Sequence, residues 1–197
     1  MHSHYNSRLQ KNVTIIHPGE YHATGEDIYI STVLGSCIAV AFHDPKKGVG
    51  GLNHFMLPGS IDKEDYILSE SGKYGMYAME LVINDLLKLG ASRQNLRAKV
   101  FGGGHVLSAS IGDNDGVPKS NITFAFEYLR MEGFPVDSSD VGGTIARKIF
   151  FDPRTSRVLL KRITGKLIVD VEKEEEDYLE KIRTKEKKKS RGEPTFF

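Results

Sequence analysis

Apolar residues form nearly continuous runs in the first third of the chain, as they do in buried strands. The runs "DIYISTVL" and "SCIAVAFHD" are rich in β-branched and aromatic residues, which predicts two strands. The turn sequence "DPKKG" separates the second of these strands from "VGGLNHFML". We therefore expect the second run and "VGGLNHFML" to form a hairpin.

Two later segments repeat their apolar residues with the helical period. The first, "YGMYAMELVINDLLKLG", ends at Gly90, a residue suited to the left-handed cap of a helix. Its apolar face is formed by residues whose spacing follows the helical period: Met79, Val82, Ile83 and Leu86. The second, "ITFAFEYLRMEG", is expected to begin at an N-cap formed by Asn121 and to end at Gly133.

Further strands are predicted between and after these helices. "RAKVFGGG" is typical of a strand that runs into a glycine loop, and "ARKIFFDPRTSRVLLKRI" predicts two strands joined at the turn "DPRTS". Hairpins combined with two main helices favour an α+β fold over a regular βαβ repeat. The expected architecture is a layered α/β sandwich with a mixed β-sheet.

The two ends of the chain differ from its middle. Residues 1–12 lack an apolar period, so a flexible N-terminus is expected. Residues 13–168 contain the predicted strands and both main helices and are expected to form one domain. Residues 169–197 pass from an acidic block to a basic block, which predicts a charged C-terminal helix followed by a tail.

Composition and charge limit the classes of function. The hydrophobic fraction of 39% in 197 residues is sufficient for a core, and the net charge of +1 creates no field that would attract nucleic acid or an anionic membrane. No apolar run approaches the roughly 20 residues that span a bilayer, and no signal peptide is recognisable. A single cysteine cannot form an internal disulfide. These features predict a cytoplasmic protein without a nucleic-acid partner and without membrane insertion.

The single cysteine, Cys37, has two interpretations. A lone cysteine is more often a small buried apolar residue than a nucleophile. A nucleophile needs a base within reach, backbone N–H groups that hold an oxyanion, and a third group that orients the base. Gly35 and Ser36 permit a tight turn that aims N–H groups into such a site, and Ser31 and Thr32 carry hydroxyls that could orient the base. This context favours the nucleophile.

The predicted hairpin brings a base to Cys37. If the turn closes as expected, Cys37 faces Met56, and His54 lies on the adjoining diagonal of the same face. The two backbones are then about 7–8 Å apart, within reach of a turned imidazole. A slip of one residue would place His54 on the opposite face.

Three consecutive glycines, Gly102, Gly103 and Gly104, follow a predicted strand. A phosphate-binding loop would continue with Lys and then Ser or Thr, which this segment lacks, so these glycines are expected to line the substrate cleft or to form a tight turn. Histidine, cysteine and acidic residues occur at no recognisable metal-ligand spacing. Neither a metal nor a cofactor is therefore expected.

Six segments together carry a resemblance to a known family. They are "TVLGSCIAVAFHDP", "GGLNHFMLP", "KYGMYAMELVINDLLKLGA", "AKVFGGG", "NITFAFEYLRMEGF" and "DVGGTIARKIFFDPRT". In this order, over about residues 13–163, they resemble the chemoreceptor glutamine deamidase family CheD of bacterial and archaeal chemotaxis. No single segment would suffice, but the ordered set is highly specific.

The resemblance implies the roles of several residues. The nucleophilic cysteine of the family corresponds to Cys37 and its histidine to His54, with the family's own spacing. Its third residue is a threonine six positions before the cysteine, where this chain has Ser31 with Thr32 beside it. The ungapped alignment selects Ser31 as the residue that orients His54, and Thr32 is the alternative.

The resemblance also implies an activity, that of a protein-glutamine glutaminase. The Cys37 thiolate would attack the side-chain amide of a glutamine in the cytoplasmic region of a chemoreceptor and leave glutamate, and hydrolysis of receptor glutamyl methyl esters would be a side activity. A CheC-type chemotaxis phosphatase is a further expected partner. Two alternatives remain open: a non-catalytic or weakly catalytic regulator of such a phosphatase, and a thiol hydrolase that acts on another carbonyl.

Overall fold

The computed structural model of the chain describes residues 1–57, 69–106, 116–164 and 167–190. The strands in these ranges are β1 (His2–Asn6), β2 (Lys11–Ile15), β3 (Tyr21–Thr24), β4 (Ile28–Leu34), β5 (Ile38–Asp44), β6 (Val49–Asn53), β7 (Arg97–Gly102), β8 (Val136–Val141), β9 (Ala146–Phe151) and β10 (Val158–Ile163). The α-helices are α1 (Glu70–Lys88), α2 (Gly116–Met131) and α3 (Leu167–Ser190).

The strands form two five-stranded sheets. The first sheet has the order β1-β2-β4-β9-β10, and the second sheet has the order β3-β6-β5-β7-β8. Each sheet is mixed, since β2 pairs with β4 and β7 pairs with β8 in parallel, whereas the other neighbours are antiparallel. The predicted α+β sandwich is confirmed, and so are the hairpins of β5 with β6 and of β9 with β10.

The second sheet lies between helices α1 and α2 on one side and the first sheet on the other. Its central strand, β5, is buried along its whole length. Because side chains alternate along a strand, Ile38, Val40 and Phe42 pack with apolar residues of α1 and α2, whereas Ala39 and Ala41 pack against the first sheet. The result is three layers, helices on sheet on sheet, with an apolar core at each of the two contacts.

The helix ends agree with the sequence signals except at the start of α2. Ser69 caps α1 through its Oγ, and Gly90 follows α1 with a φ of 90°. Gly133 has a φ of 71° just after the end of α2. Helix α2 begins at Gly116 and not at an N-cap formed by Asn121, because the buried Asn121 side chain bonds backbone groups of other segments.

Residues 1–12 differ from the expected flexible N-terminus. They contain β1, which pairs with β2 from His2 opposite Ile15 to Asn6 opposite Lys11. The side chains of β1 are mostly exposed, which explains why the segment has no apolar period. Pairing at a sheet edge requires only the backbone N–H and C=O groups of both strands, so a polar segment can still become a strand.

The charged C-terminal segment forms a helix that packs on the sandwich. The buried residues of α3 follow one stripe: Val171, Glu175, Leu179 and Ile182. The expected division between a domain at 13–168 and a charged end does not describe this packing, since the apolar members of the stripe join the clusters of the sandwich. Within the described ranges, no helix has the length and apolar content that crossing a membrane requires.

Candidate active site

Cys37 lies where the chain crosses from one sheet to the other. Strand β4 of the first sheet ends at Leu34, and β5 of the second sheet begins immediately after Cys37. The register of β5 with β6 pairs Ala41 with Leu52, and an isolated bridge extends the same register to the pair Ile38 and Phe55. The predicted register is therefore confirmed, and it places His54 on the same face as Cys37.

His54 follows β6 and is held through both its backbone and its ring. Its N–H donates to the carbonyl of Glu20 at 3.0 Å, and its own carbonyl accepts from the N–H of Gly19 at 2.7 Å. Its Nδ1 lies 2.7 Å from the hydroxyl of Thr32, and that hydroxyl donates its proton to the carbonyl of Ile16 at 2.8 Å. Because a hydroxyl has one proton to give, Nδ1 must be the donor to Thr32, and Nε2 then carries the free lone pair.

The free nitrogen of His54 lies in the same buried space as the cysteine. A ring nitrogen of His54, the Sγ of Cys37 and a carboxylate oxygen of Glu175 are all within 4.8 Å of one another. Nδ1 is engaged by Thr32, whereas Nε2 is buried and has no hydrogen-bond partner among the described residues. Nε2 therefore has an unengaged lone pair in the buried space that His54 shares with Cys37.

The residue that contacts His54 is Thr32, not Ser31. Along β4, Ile30, Thr32 and Leu34 point into the layer between the sheets, whereas Ser31 lies on the other face, and its Oγ has no partner among the described residues. The expectation for Ser31 is therefore wrong as to geometry, and the alternative agrees with the structure. Counting back from the cysteine without a gap could not show which face of β4 meets the histidine.

Burial determines the protonation states of the two side chains. Loss of solvation, with a smaller effect from the charge of His17, lowers the pKa of His54 from 6.5 to about 3, so its imidazole is neutral at physiological pH. Burial also raises the pKa of the Cys37 thiol well above its usual range, and the carboxylate of Glu175 adds to the rise. With Glu175 in place, the thiol is protonated and the base beside it is neutral.

Residues 35–37 connect β4 to β5 and are called the cysteine turn here; their backbone N–H groups converge on an anion, the carboxylate of Glu175. Oε1 accepts from the N–H groups of Gly35 and Cys37 at 2.9 and 3.0 Å. Oε2 accepts from the N–H and the hydroxyl of Ser36, both at 2.7 Å. The N–H groups of Gly35 and Ser36 thus bind a carboxylate in this structure, and their role toward a reaction oxyanion stays a prediction.

Sequence reasoning missed Glu175. It lies within the acidic run "EKEEED", in which no single carboxylate stands out. The available signal was the spacing of the apolar residues around it, which places Glu175 on the same face of a helix as Val171 and Leu179.

The three glycines support the cysteine turn. Gly103 donates its N–H to the carbonyl of Cys37 at 2.7 Å, and Gly104 donates to the carbonyl of Gly35 at 2.6 Å. Gly102 has a φ of 114°, and a Cβ there would lie 2.2 Å from the Cys37 carbonyl oxygen. These contacts agree with a tight turn, and the role of the three glycines in lining a substrate cleft stays a prediction.

Asn121 also supports this turn, a role that the sequence pattern did not predict. Its Nδ2 donates to the carbonyl of Ser36 at 2.9 Å, and its Oδ1 accepts from the N–H of Leu57 at 2.8 Å. Since Asn121 is fully buried, both bonds are shielded from water. The side chain links the cysteine turn to the segment that follows His54.

Cys37, His54 and Glu175 are also residue types that bind zinc. Their ligand atoms lie within 4.8 Å of one another, and three ligands with one open position are typical of a catalytic zinc site. Both oxygens of Glu175 already accept hydrogen bonds from the turn, however. A metal would have to compete with these four donors for the carboxylate.

Comparisons with known proteins agree on one family. The family model described as "CheD chemotactic sensory transduction" matches residues 56–162. A probable chemoreceptor glutamine deamidase CheD of Herminiimonas arsenicoxydans is 42% identical over 181 residues, which cover 92% of this chain and 88% of that protein. The protein of the same name from Methylobacillus flagellatus is 46% identical over 167 residues, 84% of this chain and 81% of its own.

Similarity to solved structures is much weaker. The hypothetical protein YfiH of Bacillus licheniformis superposes with a TM-score of 0.36 at 13% identity, over 61% of this chain and 49% of that chain. The family model and the curated relatives, by contrast, each match more than half of the chain. By these matches, the chain belongs to the CheD family.

Proposed function

We propose that this chain is a protein-glutamine deamidase of chemoreceptors, the activity for which its relatives are named. The observation that carries the proposal is the convergence of three components at one buried point. They are the thiol of Cys37, the imidazole of His54 held by Thr32, and the N–H groups of the cysteine turn. Acyl transfer from an amide requires a nucleophile, a base and oxyanion donors in this arrangement.

The first half of the reaction forms a thioester. Nε2 of His54 takes the proton of Cys37, and the thiolate attacks the side-chain carbonyl carbon of the glutamine. The carbonyl oxygen becomes an oxyanion, and the N–H groups of the cysteine turn stabilise it once the Glu175 carboxylate that they bind in this structure has left them. The imidazolium then gives its proton to the amide nitrogen, so that ammonia leaves and the acyl group remains on Cys37.

The second half of the reaction releases glutamate. His54 takes a proton from a water molecule, which attacks the thioester carbon, and the same N–H groups hold the second oxyanion. The C–S bond breaks, and the thiolate of Cys37 recovers the proton from His54. The balance is one water consumed and one ammonia released for each glutamine converted.

Ammonia release from a receptor fragment tests the proposal. The purified chain is incubated with a cytoplasmic chemoreceptor fragment that contains glutamines, and ammonia is measured together with the mass of the fragment. We expect ammonia in equal amount to the glutamines converted, with the fragment uncut. Cys37→Ala should release none, and His54→Gln should be slower by the ~10²–10⁴-fold that a general acid–base contributes.

The other hypotheses give different results in the same assay. A thiol protease would cut the fragment without releasing ammonia. A regulator of a CheC-type phosphatase would bind a partner and yield neither product. A wild-type protein and a Glu175→Ala variant that both fail to release ammonia from the fragment would contradict the proposed function.

A further inference from the structure

Glu175 places a glutamate side chain at the site where glutamate would be the reaction product. Deamidation exchanges the terminal NH₂ group of glutamine for an oxygen, so Glu175 and the product side chain are chemically identical. Its Oε1, shared by the N–H groups of Gly35 and Cys37, occupies the position expected for an oxyanion. A carboxylate oxygen of Glu175 also lies within 4.8 Å of the Cys37 Sγ.

We propose that α3 is a tethered product analogue. It occupies a groove, bordered by the cysteine turn and Tyr74, in which a helix of the substrate would bind. The inference rests on the proposed function, and it names the form of the substrate: a glutamine on the face of an α-helix. While α3 lies in the groove, a substrate cannot reach Cys37. The protein is then inhibited by its own C-terminal helix, and the substrate helix and α3 compete for one site.

Apolar residues flank Glu175 on the buried face of α3. They lie four positions before it and four and seven positions after it: Val171, Leu179 and Ile182. Leu179 and Ile182 belong to the apolar cluster that contains Cys37. A substrate helix is therefore expected to carry apolar residues at the same three positions relative to its glutamine, because these positions share one helix face.

Two further side chains of α3 bond to residues of other segments. Glu174 pairs with Nδ1 of His17 at 2.6 Å, and both side chains are more than 40% exposed. Exposed ion pairs contribute little to stability. The hydroxyl of Tyr178 meets that of Tyr74. Glu175 and the apolar stripe are the part of this attachment that a helix of similar pattern could reproduce.

Exchange of α3 for a substrate would also lower the pKa of the Cys37 thiol. Glu175 is an anion beside Cys37 and helps to keep the pKa of the thiol high, after burial itself. A glutamine amide in the same place is neutral, so the thiolate would form more readily beside a substrate than beside α3. The seated α3 therefore represents an inactive state, and replacement of its carboxylate by an amide favours reaction.

The substitution Glu175→Gln tests directly whether α3 presents position 175 to Cys37 as a substrate would. It keeps the shape of the side chain and turns the tethered product into a tethered substrate, whose amide oxygen can accept from Gly35 and Cys37 as Oε1 does, while its NH₂ group cannot accept from the N–H of Ser36. We expect Cys37 to attack position 175 in the same chain and to release one ammonia, leaving either a thioester or, after hydrolysis, glutamate at that position. Mass spectrometry of the position-175 peptide detects the glutamate, and hydroxylamine cleaves and labels the thioester.

Two control variants separate catalysis from spontaneous deamidation. Glu180→Gln places an amide at an exposed position of the same helix and should stay unchanged. Glu175→Gln combined with Cys37→Ala should also retain its amide. An amide at position 175 that persists while the chain deamidates a receptor fragment would overturn the inference and leave the proposed function intact. Loss of the amide in the Cys37→Ala background would likewise overturn it.

The rate at which iodoacetamide alkylates Cys37 provides a second measurement. Glu175→Ala removes the carboxylate that holds α3 at the cysteine turn, so the open state should become more populated. We expect alkylation of Cys37 and turnover of a receptor fragment to rise about tenfold or more, in proportion to the fraction of open protein. An alkylation rate equal to that of the wild type would contradict self-inhibition by α3.

Discussion

At the scale of single residues, the hydrogen bonds of Thr32 determine which ring nitrogen of His54 carries the proton. The hydroxyl of Thr32 gives its proton to Ile16 and therefore accepts the Nδ1 proton of His54, which leaves Nε2 with the free lone pair that the proposed mechanism requires. The adjacent Ser31 is equally buried, but it lies on the other face of β4 and has no such contact. Two neighbouring hydroxyl residues thus have very different expected roles.

We predict that Thr32→Ala lowers kcat and leaves KM for a receptor fragment nearly unchanged. In the proposed mechanism Thr32 orients the base and does not contact the substrate, so the loss should be about tenfold to a hundredfold, up to the lower limit of the ~10²–10⁴-fold attributed to general acid–base catalysis. Thr32→Ser keeps the hydroxyl and should restore most of the rate. Steady-state kinetics of the variants measure both parameters.

Ser31→Ala is the matched control for this prediction. Its hydroxyl has no partner in the described part of the chain, so removal should leave kcat unchanged. The free energy of unfolding should stay constant or increase by about 1 kcal/mol, because a buried unpaired hydroxyl is destabilising. A large loss of kcat in Ser31→Ala with normal kcat in Thr32→Ala would reverse the assignment.

At the scale of elements, the short turn between two strands can require a backbone conformation that suits only some residues. The turn between β9 and β10 is built on Asp152, whose Oδ1 accepts the N–H groups of Arg154 and Thr155 at 3.0 and 3.2 Å. Ser156 then adopts a φ of 58°, in the left-handed region that favours glycine. This residue closes the hairpin at a conformational cost.

We predict that Ser156→Gly stabilises the protein. Glycine has no Cβ penalty at positive φ, and this gain exceeds the entropy that glycine loses on folding. The free energy of unfolding should increase by up to about 1 kcal/mol, measured by urea denaturation. Ser156→Ala keeps the Cβ and should bring no gain, and equal stabilisation by both variants would argue against backbone strain as the cause.

At the scale of the whole molecule, the layers that enclose the site also couple folding to pH. His54 lies between the two sheets and is neutral, with a pKa lowered by burial from 6.5 to about 3. In the unfolded chain the imidazole takes up a proton near its ordinary pKa, whereas the folded protein excludes it. The contribution of this group to stability is therefore fully present above pH 6.5 and is lost progressively as the pH falls toward 3.

We predict that acid destabilises the wild type more than it destabilises His54→Gln. One pKa unit corresponds to about 1.4 kcal/mol, so His54 should account for about 2 kcal/mol of the loss between pH 7.5 and pH 5. Urea unfolding of both proteins at the two pH values gives this difference. Parallel losses in the two proteins would show that His54 is not protected from protonation in the folded state.

The amino-acid sequence by itself determined most strands and helices and the shared face of Cys37 and His54. The period of the apolar residues and the turn residues were sufficient to predict β5, β6 and α1. Gly90 and Gly133 marked helix ends that the structure confirms. The hairpin register followed from its turn, and with it the shared face of Cys37 and His54. These features are local, because period, propensity and turn chemistry act over a few neighbouring residues.

Only the tertiary structure decided what meets the cysteine and the histidine. The choice of Thr32 over Ser31 depends on which face of β4 turns toward the second sheet. Glu175 reaches Cys37 from 138 residues away, and no local pattern distinguishes it from the acidic residues beside it. A strand or helix period identifies the face that becomes buried, but the element that covers this face is selected by packing between distant segments of the chain.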